Sequence, residues 1–175
     1  EDARKIGEAI NAHNDERKKE DRRITEEALD MVRHDPQYED KKATIVYNPD
    51  WHKGVVGIVA SRLVEAYYKP TIVMTKSNGF ITGSARSVSG FDLYDAIEHC
   101  SDLLENFGGH MYAAGLTMKE ENYPEFCERF EHYVAHKISN VMLTPIVNID
   151  SYLDFKQITP KFFRLLNQFQ PFGPG

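Results

Sequence analysis

Residues 43–74 contain two β-rich runs separated by a stretch with helical periodicity, and this pattern constrains the fold most strongly. The runs lie at 43–47 and 70–74, and a breaker, Asn-Pro-Asp, occupies 48–50. From Val55 onward the apolar residues recur at helical spacing, while Gly54 and Gly57 would let that helix approach a sheet closely. Strand, helix and strand in this order form a βαβ unit, right-handed if the strands are parallel. The sequence therefore predicts an α/β fold.

Further elements are predicted on both sides of this unit. Residues 3–33 carry few breakers and a charged centre, which is typical of a helix that bridges packed bodies or lies across the surface of one domain. Ser77-Asn78-Gly79 predicts a hairpin turn before a short strand. Residues 122–139 have an apolar stripe at helical spacing, 146–153 are β-rich, and Thr159 with Pro160 predicts the start of a last helix.

Charge and composition restrict the classes of partner. The net charge is −6 and no segment forms a basic arm, so a nucleic acid would have to be held by a local site. Two cysteines, Cys100 and Cys127, without paired metal spacing indicate reduced thiols in a cytoplasmic protein. The chain has no signal peptide and no long apolar run, so we expect no membrane association.

Two glycine-bearing polar clusters are candidate anion sites. In the first, residues 83–87, a strand would place Ser84 and Arg86 on one face, and Ser87 follows; hydroxyls and a guanidinium suit phosphate oxygens. In the second, a tight turn of Gly108, Gly109 and His110 would offer backbone N–H groups and an imidazole. The alternative for each is structural: a bulge glycine, a solvated arginine and a connecting turn.

The segments around these clusters are also assigned from their pattern. About twenty amphipathic residues between the clusters are expected to be helical, with Asp92 as an N-cap. Residues 113–118 suggest a short helix end followed by a buried strand. A third possible anion contact lies at the predicted helix start, where the residues are His52, Lys53 and Gly54.

No catalytic or metal-binding residue is predicted in this chain. The seven histidines lie on different predicted elements, and His132 with His136, although four apart, has no third residue to complete a metal site. Nucleophile motifs and a P-loop are also absent from the sequence. We therefore expect a chain that binds a substrate without turning it over.

Three motifs carry a family resemblance. WHKGVVGIVASR at 51–62, GSARS at 83–87 and FGGHMYAAGL at 107–116 resemble the DHH-associated domain of the RecJ single-strand-specific exonucleases, in the DHH phosphoesterase superfamily. INAHNDERKKED at 10–21 resembles the start of the long helix that links the catalytic domain to this one, and the terminal QPFGPG resembles the loop near the start of the following oligonucleotide-binding domain. The resemblance thus spans nearly the whole chain.

The resemblance implies a mixed β-sheet flanked by helices, with a connector helix at 1–40, a substrate-binding domain at 41–142 and the truncated start of an oligonucleotide-binding domain at 143–175. It also implies a 5′-to-3′ exonuclease acting on single-stranded DNA in recombination and repair, with Mn²⁺ or Mg²⁺ in a missing catalytic domain. Asp-His-His is absent here. Ser84, Arg86, Ser87 and the Gly-Gly-His motif would hold the phosphate.

Two other functions stay open at this point. One is an oligoribonuclease or cyclic-dinucleotide phosphodiesterase of the same superfamily, which would share the Gly-Gly-His motif. The other is a nucleic-acid-binding module without an attached enzyme, similar to the domain at the end of alanyl-tRNA synthetases. A catalytic segment before Glu1 in the complete gene would separate the enzymes from the binding module.

Overall fold

The computed structural model describes residues 2–147 and 149–172, and it forms two units, Glu1–Thr144 and Pro145–Gly175. The elements of the first unit are α1 (Asp2–Arg33), β1 (Thr44–Tyr47), α2 (Val56–Tyr67), β2 (Thr71–Ser77), β3 (Phe80–Arg86), α3 (Leu93–Glu98), β4 (Leu104–His110), β5 (Ala113–Met118) and α4 (Tyr123–Lys137). The second unit contains α5 (Pro160–Asn167).

The five strands form one mixed sheet in the order β1-β2-β3-β5-β4. Strand β1 pairs in parallel with β2, and the other pairs are antiparallel. The predicted βαβ unit is therefore confirmed. The predicted hairpin joins β2 to β3, where Asn78 and Gly79 have φ angles of 53° and 83°. Positive φ at both central residues is the geometry of the two-residue turn that matches strand twist.

Helices cover both faces of the sheet and bury a core on each. On one face α1 and α2 pack over β1 and β2, and the buried residues include Ile24, Ala28, Val46, Leu63 and Val73. The opposite face packs against α3 and α4, and its buried residues include Ile72, Met74, Ile81, Leu116, Phe126 and Phe130. Because side chains alternate along a strand, neighbouring residues such as Ile72 and Val73 enter different cores.

Helix α1 contributes to the first core through its second half alone. Ile24, Ala28 and Val32 are buried, whereas Ile6 and Ile10 are about three-fifths exposed, at 59% and 61%. The buried carboxylate of Asp21 accepts a hydrogen bond of 2.7 Å from Arg62 of α2, which fixes the helix at the point where its packing begins. The first half of α1 is thus a polar helix that lies outside the core.

Two local predictions in the first unit were wrong. The region between the polar clusters is not one helix, because α3 ends at Glu98 and strand β4 begins at Leu104. Residues 113–118 are strand throughout. Both errors have one cause: β4 and β5 pair along their length, and sheet pairing overrides the weak helical pattern of short, glycine-rich segments. The predicted cap is confirmed, since the Asp92 carboxylate accepts from the Asp95 N–H.

Of the two elements predicted in the second unit, the structure contains one. Helix α5 begins after Thr159, whose hydroxyl accepts from the Phe162 N–H, as its sequence predicts. The strand predicted at 146–153 was wrong for the residues described, 146–147 and 149–153, which have no strand structure. A β-rich run needs a partner strand to complete its hydrogen bonds. The terminal motif extends into 173–175, outside the described residues. No described helix is long and apolar enough to cross a membrane.

Candidate functional site

Three rows of residues cross β3, β5 and β4 on the face that α1 and α2 pack against. Residues paired in an antiparallel ladder place their side chains on the same side of a sheet. We call these rows together the open face. The proximal row is Arg86, Ala113 and His110; the glycine row is Ser84, Gly115 and Gly108; the distal row is Thr82, Thr117 and Asn106. All nine residues are partly or fully exposed.

A β-bulge in β4 decides which residues reach the open face. Leu104 pairs with Met118 and Asn106 pairs with Thr117, so the ladder gains one residue, Glu105. Without this extra residue the register would turn Glu105 and the following Phe107 toward the open face. With it, Phe107 packs against the core and Asn106 faces outward. The bulge therefore keeps a carboxylate and a large aromatic ring off the open face.

The first turn of α2 forms one wall beside the glycine and proximal rows. A Cβ atom at Gly57 would stand 3.1 Å from Nη2 of Arg86 and 3.5 Å from Oγ of Ser84. Glycine at this position thus permits the helix to approach both side chains. The Val55 N-cap makes no side-chain hydrogen bond, and in the first turn of α2 the Ile58 N–H donates to the Val55 carbonyl oxygen at 2.9 Å, whereas the N–H groups of Val56 and Gly57 precede the intrahelical hydrogen bonds.

The Arg86 guanidinium is half-buried and has no carboxylate partner among the residues described. Its one hydrogen bond runs from Nη1 to the carbonyl oxygen of Ala85, at 2.8 Å. By contrast, Arg62 pairs with a carboxylate and Arg129 pairs with two. A permanently charged fork next to the positive end of a helix, with a hydroxyl beside it, has the chemistry of an anion site.

The other residues predicted for this site lie at the ends of strands β3 and β4. His110 is exposed and ends β4, two strands from Arg86 in the same row, about 10 Å away at the usual strand spacing. Ser87 follows β3, and its hydroxyl donates to the Phe91 carbonyl oxygen at 2.8 Å, so its proton is used within the loop.

The Gly-Gly-His motif is not a tight turn, as its sequence suggested, but the last part of β4. The chain reverses at residues 111–112, between His110 and the start of β5 at Ala113. Gly109 has φ of +153°, and a Cβ there would stand 2.3 Å from the Ala113 carbonyl oxygen. Glycine is therefore required at 109, where the two strands meet, whereas a Cβ at Gly108 would meet nothing within 4 Å.

The third predicted contact lies beside α1. The exposed His52 lines a cleft of about 310 Å³ together with Glu16 and Glu20 of that helix, and its Nδ1 accepts the Gly54 N–H at 3.1 Å. The Gly54 amide is thus used inside the turn, and Lys53 is exposed. The structure does not bring His52 into the three rows of the open face.

The side chains of the open face do not suit a divalent metal ion. Throughout the described part of the chain, no three His, Cys, Asp or Glu side chains lie close enough together to hold an ion. The open face itself offers hydroxyls, one amide, one imidazole and one guanidinium, and a guanidinium repels cations. Mn²⁺ and Mg²⁺ prefer carboxylate oxygens.

Glycine 57 and the distal row were not identified from sequence as parts of this site. Gly57 was assigned to helix packing, and its contact with Arg86 arises only when α2 folds over β3. The alternation that places Ser84 and Arg86 on one face of β3 extends to Thr82, so the sequence pattern could have assigned Thr82 to this face. Asn106 had none, because its position depends on the bulge at Glu105.

Comparison with known proteins confirms the resemblance inferred from the motifs. The chain is 36% identical over 174 residues to the single-stranded-DNA-specific exonuclease RecJ of Bacillus subtilis, covering 98% of this chain and 22% of that protein. It is 32% identical to RecJ of Escherichia coli, covering 98% of this chain and 31% of that protein. The chain thus spans less than a third of the length of these relatives.

Comparison with a solved structure also shows similarity to RecJ. The crystal structure of RecJ in complex with Mn²⁺ from Thermus thermophilus matches 91% of this chain and 23% of that chain, with a TM-score of 0.72 and 31% identity. Residues 40–136, more than half of the chain, match the DHHA1 domain and include every row of the open face. The chain belongs to the DHHA1 domain family.

Proposed function

We propose that this chain is the substrate-binding part of a 5′-to-3′ single-stranded-DNA exonuclease of recombination and repair. In this proposal the open face holds DNA phosphate opposite the metal site of a separate catalytic domain. The named activity of the similar RecJ proteins supports the substrate class. The residues of the open face support the role, since positioning and charge stabilisation are the main work of a protein in phosphoryl transfer.

One observation carries the proposal: Arg86 and Ser84 both lie against Gly57 at the start of α2. The helix end, the hydroxyl and the guanidinium supply hydrogen-bond donors from two different elements to one point. Arg86 has no carboxylate to neutralise it among the described residues, so a phosphate would be its counterion. Phosphate binding at a helix start with glycine backbone is a recurring solution in proteins.

His110 would contact a second phosphate oxygen or the next phosphate along the strand. It shares the proximal row with Arg86, and the side chain between them is only the methyl group of Ala113. Ser87 would support the site by holding the loop after β3. His52 and Lys53 stay a possible secondary anion contact near α1, with Gly54 shaping that turn.

The metal ions would belong to the separate catalytic domain. Mn²⁺ and Mg²⁺ occur in the crystal structures of Thermus thermophilus RecJ, while the side chains of the open face suit an anion. We therefore expect the isolated chain to show no nuclease activity when Mn²⁺ is added. Robust metal-dependent degradation of single-stranded DNA by this chain would contradict the assignment.

The domain boundaries are proposed together with this role. Residues 1–40 would connect to the catalytic domain, which agrees with the exposed, polar first half of α1. Residues 41–142 would form the substrate-binding domain, and 143–175 would begin an oligonucleotide-binding domain. We place the protein in the cytoplasm. A full-length sequence with an Asp-His-His segment before this chain would support the arrangement, and its absence would contradict it.

The test of the phosphate site is Arg86→Ala in the full-length protein. Removing a hydrogen bond to a charged group costs about 1.5–3 kcal/mol, and we expect 5′-phosphorylated single-stranded DNA to bind more weakly by that amount. Arg129→Ala is the matched control, because Arg129 belongs to α4 on the opposite face of the sheet and pairs with Asp102 and Glu125. Unchanged affinity and turnover in Arg86→Ala would contradict the proposal.

A further inference from the structure

The open face continues beyond the proposed phosphate site as a flat, uncharged surface. Along each strand the distal row lies about 13 Å from the proximal row, because four residues of extended chain separate them. The glycine row lies between. Thr82, Gly108, Gly115, Thr117 and Asn106 line a shallow groove of about 340 Å³ over this part of the sheet.

The two glycines at the centre of this surface have no internal reason to be glycine. Gly108 and Gly115 pair with each other, and neither has a positive φ. A Cβ at Gly108 would meet nothing within 4 Å, and one at Gly115 would meet only the Gly83 carbonyl oxygen at 3.8 Å. Glycine weakens a strand, and it is found where a ligand approaches the backbone closely. The bare backbone at this point therefore indicates a flat occupant.

The distal row has the chemistry to contact the edge of a nucleobase. The Asn106 amide makes no hydrogen bond within the described residues, and it can offer a donor or an acceptor by rotating. Thr117 adds a partly exposed hydroxyl beside it, while the Thr82 hydroxyl donates weakly to the Leu116 carbonyl oxygen at 3.3 Å. None of these groups is charged, so a phosphate is not the natural occupant of this row.

We infer that the open face beyond Arg86 is a subsite for one nucleoside, the one whose 5′-phosphate lies at Arg86 and Ser84. Its sugar and base lie over Gly108 and Gly115, and its base edge contacts Asn106 and Thr117. The bulge at Glu105 serves this subsite, since it places the amide on the open face and removes a carboxylate. The inference rests on the proposed phosphate site, which it extends to the terminal nucleoside.

The Asn106 amide and the flat backbone at Gly108 and Gly115 can contact a base without preferring one of the four. Recognition of unstacked bases in single strands uses their exposed edges and faces. Asn106 can satisfy either a donor or an acceptor on the base, so all four bases can occupy the subsite. The subsite thus adds affinity for a terminal nucleotide whatever its sequence.

The experiment compares two 5′-phosphorylated oligonucleotides, one with an ordinary first nucleotide and one whose first nucleotide is abasic. Binding to the full-length protein is measured by fluorescence anisotropy in EDTA, so that the DNA stays intact. We expect the abasic oligonucleotide to bind at least about fivefold more weakly, the effect of one lost contact. Asn106→Ala and Gly115→Val should each weaken the ordinary oligonucleotide by a similar factor and leave the abasic one within about twofold.

Equal affinity of the wild-type protein for the two oligonucleotides would overturn the subsite. So would variants that weaken both oligonucleotides equally. Arg129→Ala, on the opposite face of the sheet, is a control variant that should keep the wild-type discrimination. Circular dichroism shows that each variant is folded. Arg86→Ala separates the base contact from the phosphate site: if this variant binds phosphorylated DNA normally while the abasic effect persists, the phosphate assignment fails and the base contact at Asn106 stands.

Discussion

Nη2 of Arg86 lies 3.1 Å from the point where a Cβ atom of Gly57 would stand. The contact joins the end of β3 to the start of α2, which are separated by strand β2 and the hairpin in sequence. It brings a charged side chain, a hydroxyl and a helix start to one place. This relationship links the fold to the proposed function, because the same glycine that allows the packing leaves room for an anion.

Gly57→Ala should therefore reduce DNA binding without unfolding the protein. The added methyl group would push the flexible end of Arg86 away from the helix start, while alanine favours the helix by up to about 1 kcal/mol. We expect an unchanged or higher melting temperature and weaker binding of 5′-phosphorylated DNA by about 1 kcal/mol, the value of one displaced hydrogen bond. Calorimetry and anisotropy measure the two effects.

Gly7→Ala is the matched control for that substitution. Gly7 also lies in a helix, and a Cβ there would meet nothing within 4 Å. Gly7→Ala should stabilise the helix as Gly57→Ala does, without weakening the binding of 5′-phosphorylated DNA. If Gly57→Ala binds DNA as the wild type does, the helix start is not part of the phosphate site.

Alanine should lower the free energy of unfolding much more at Gly109 than at Gly108, although both belong to the Gly-Gly-His motif. Gly109→Ala would set a Cβ 2.3 Å from the Ala113 carbonyl oxygen at a φ of +153°, so we expect a loss of about 3 kcal/mol or more in the free energy of unfolding. Gly108→Ala has open space, and we expect a change of less than about 1 kcal/mol. Urea denaturation of both variants measures this; equal losses would show that the strand geometry is wrong.

Stability should fall at high pH because of the two cysteines. Burial raises the pKa of Cys100 and of Cys127 from the ordinary value of 9.0 to about 11. The folded state therefore keeps protons that the unfolded state loses above pH 9.0, and stability decreases as the pH rises from about 9 toward 11. Below pH 9 the contribution is fully present.

Denaturation at pH 7 and pH 10 tests this linkage. The variant Cys100→Ala with Cys127→Ala removes both thiols, and we expect it to lose less stability between the two pH values than the wild-type protein. An equal loss in both proteins would show that the thiols ionise as readily in the folded state as in the unfolded one.

Local signals predicted much of the fold from sequence. Asn78-Gly79 predicted the hairpin because its turn chemistry is local, and Asp92 predicted a helix start for the same reason. The apolar stripe of α4 was also sufficient to predict that helix and its buried side, since Phe126, Phe130 and Val134 are all buried in the core.

The parts that were missed depend on pairing between distant segments. β4 carries glycines that do not favour a strand, and it forms because β5 supplies its hydrogen bonds. The run at 146–153 shows the reverse case: its composition favours a strand, but its described residues, 146–147 and 149–153, do not form one. In the candidate site, alternation grouped Ser84 with Arg86, but Gly57 joins them only through the packing of α2 on β3.

The most direct test of the phosphate site compares 5′-phosphorylated with 5′-hydroxyl single-stranded DNA in the full-length protein, before and after Arg86→Ala. The wild-type protein should prefer the phosphorylated strand, and the variant should lose about 1.5–3 kcal/mol of that preference while its affinity for the hydroxyl strand changes little. A preference that is the same in both proteins would contradict the claim that Arg86 holds the terminal phosphate.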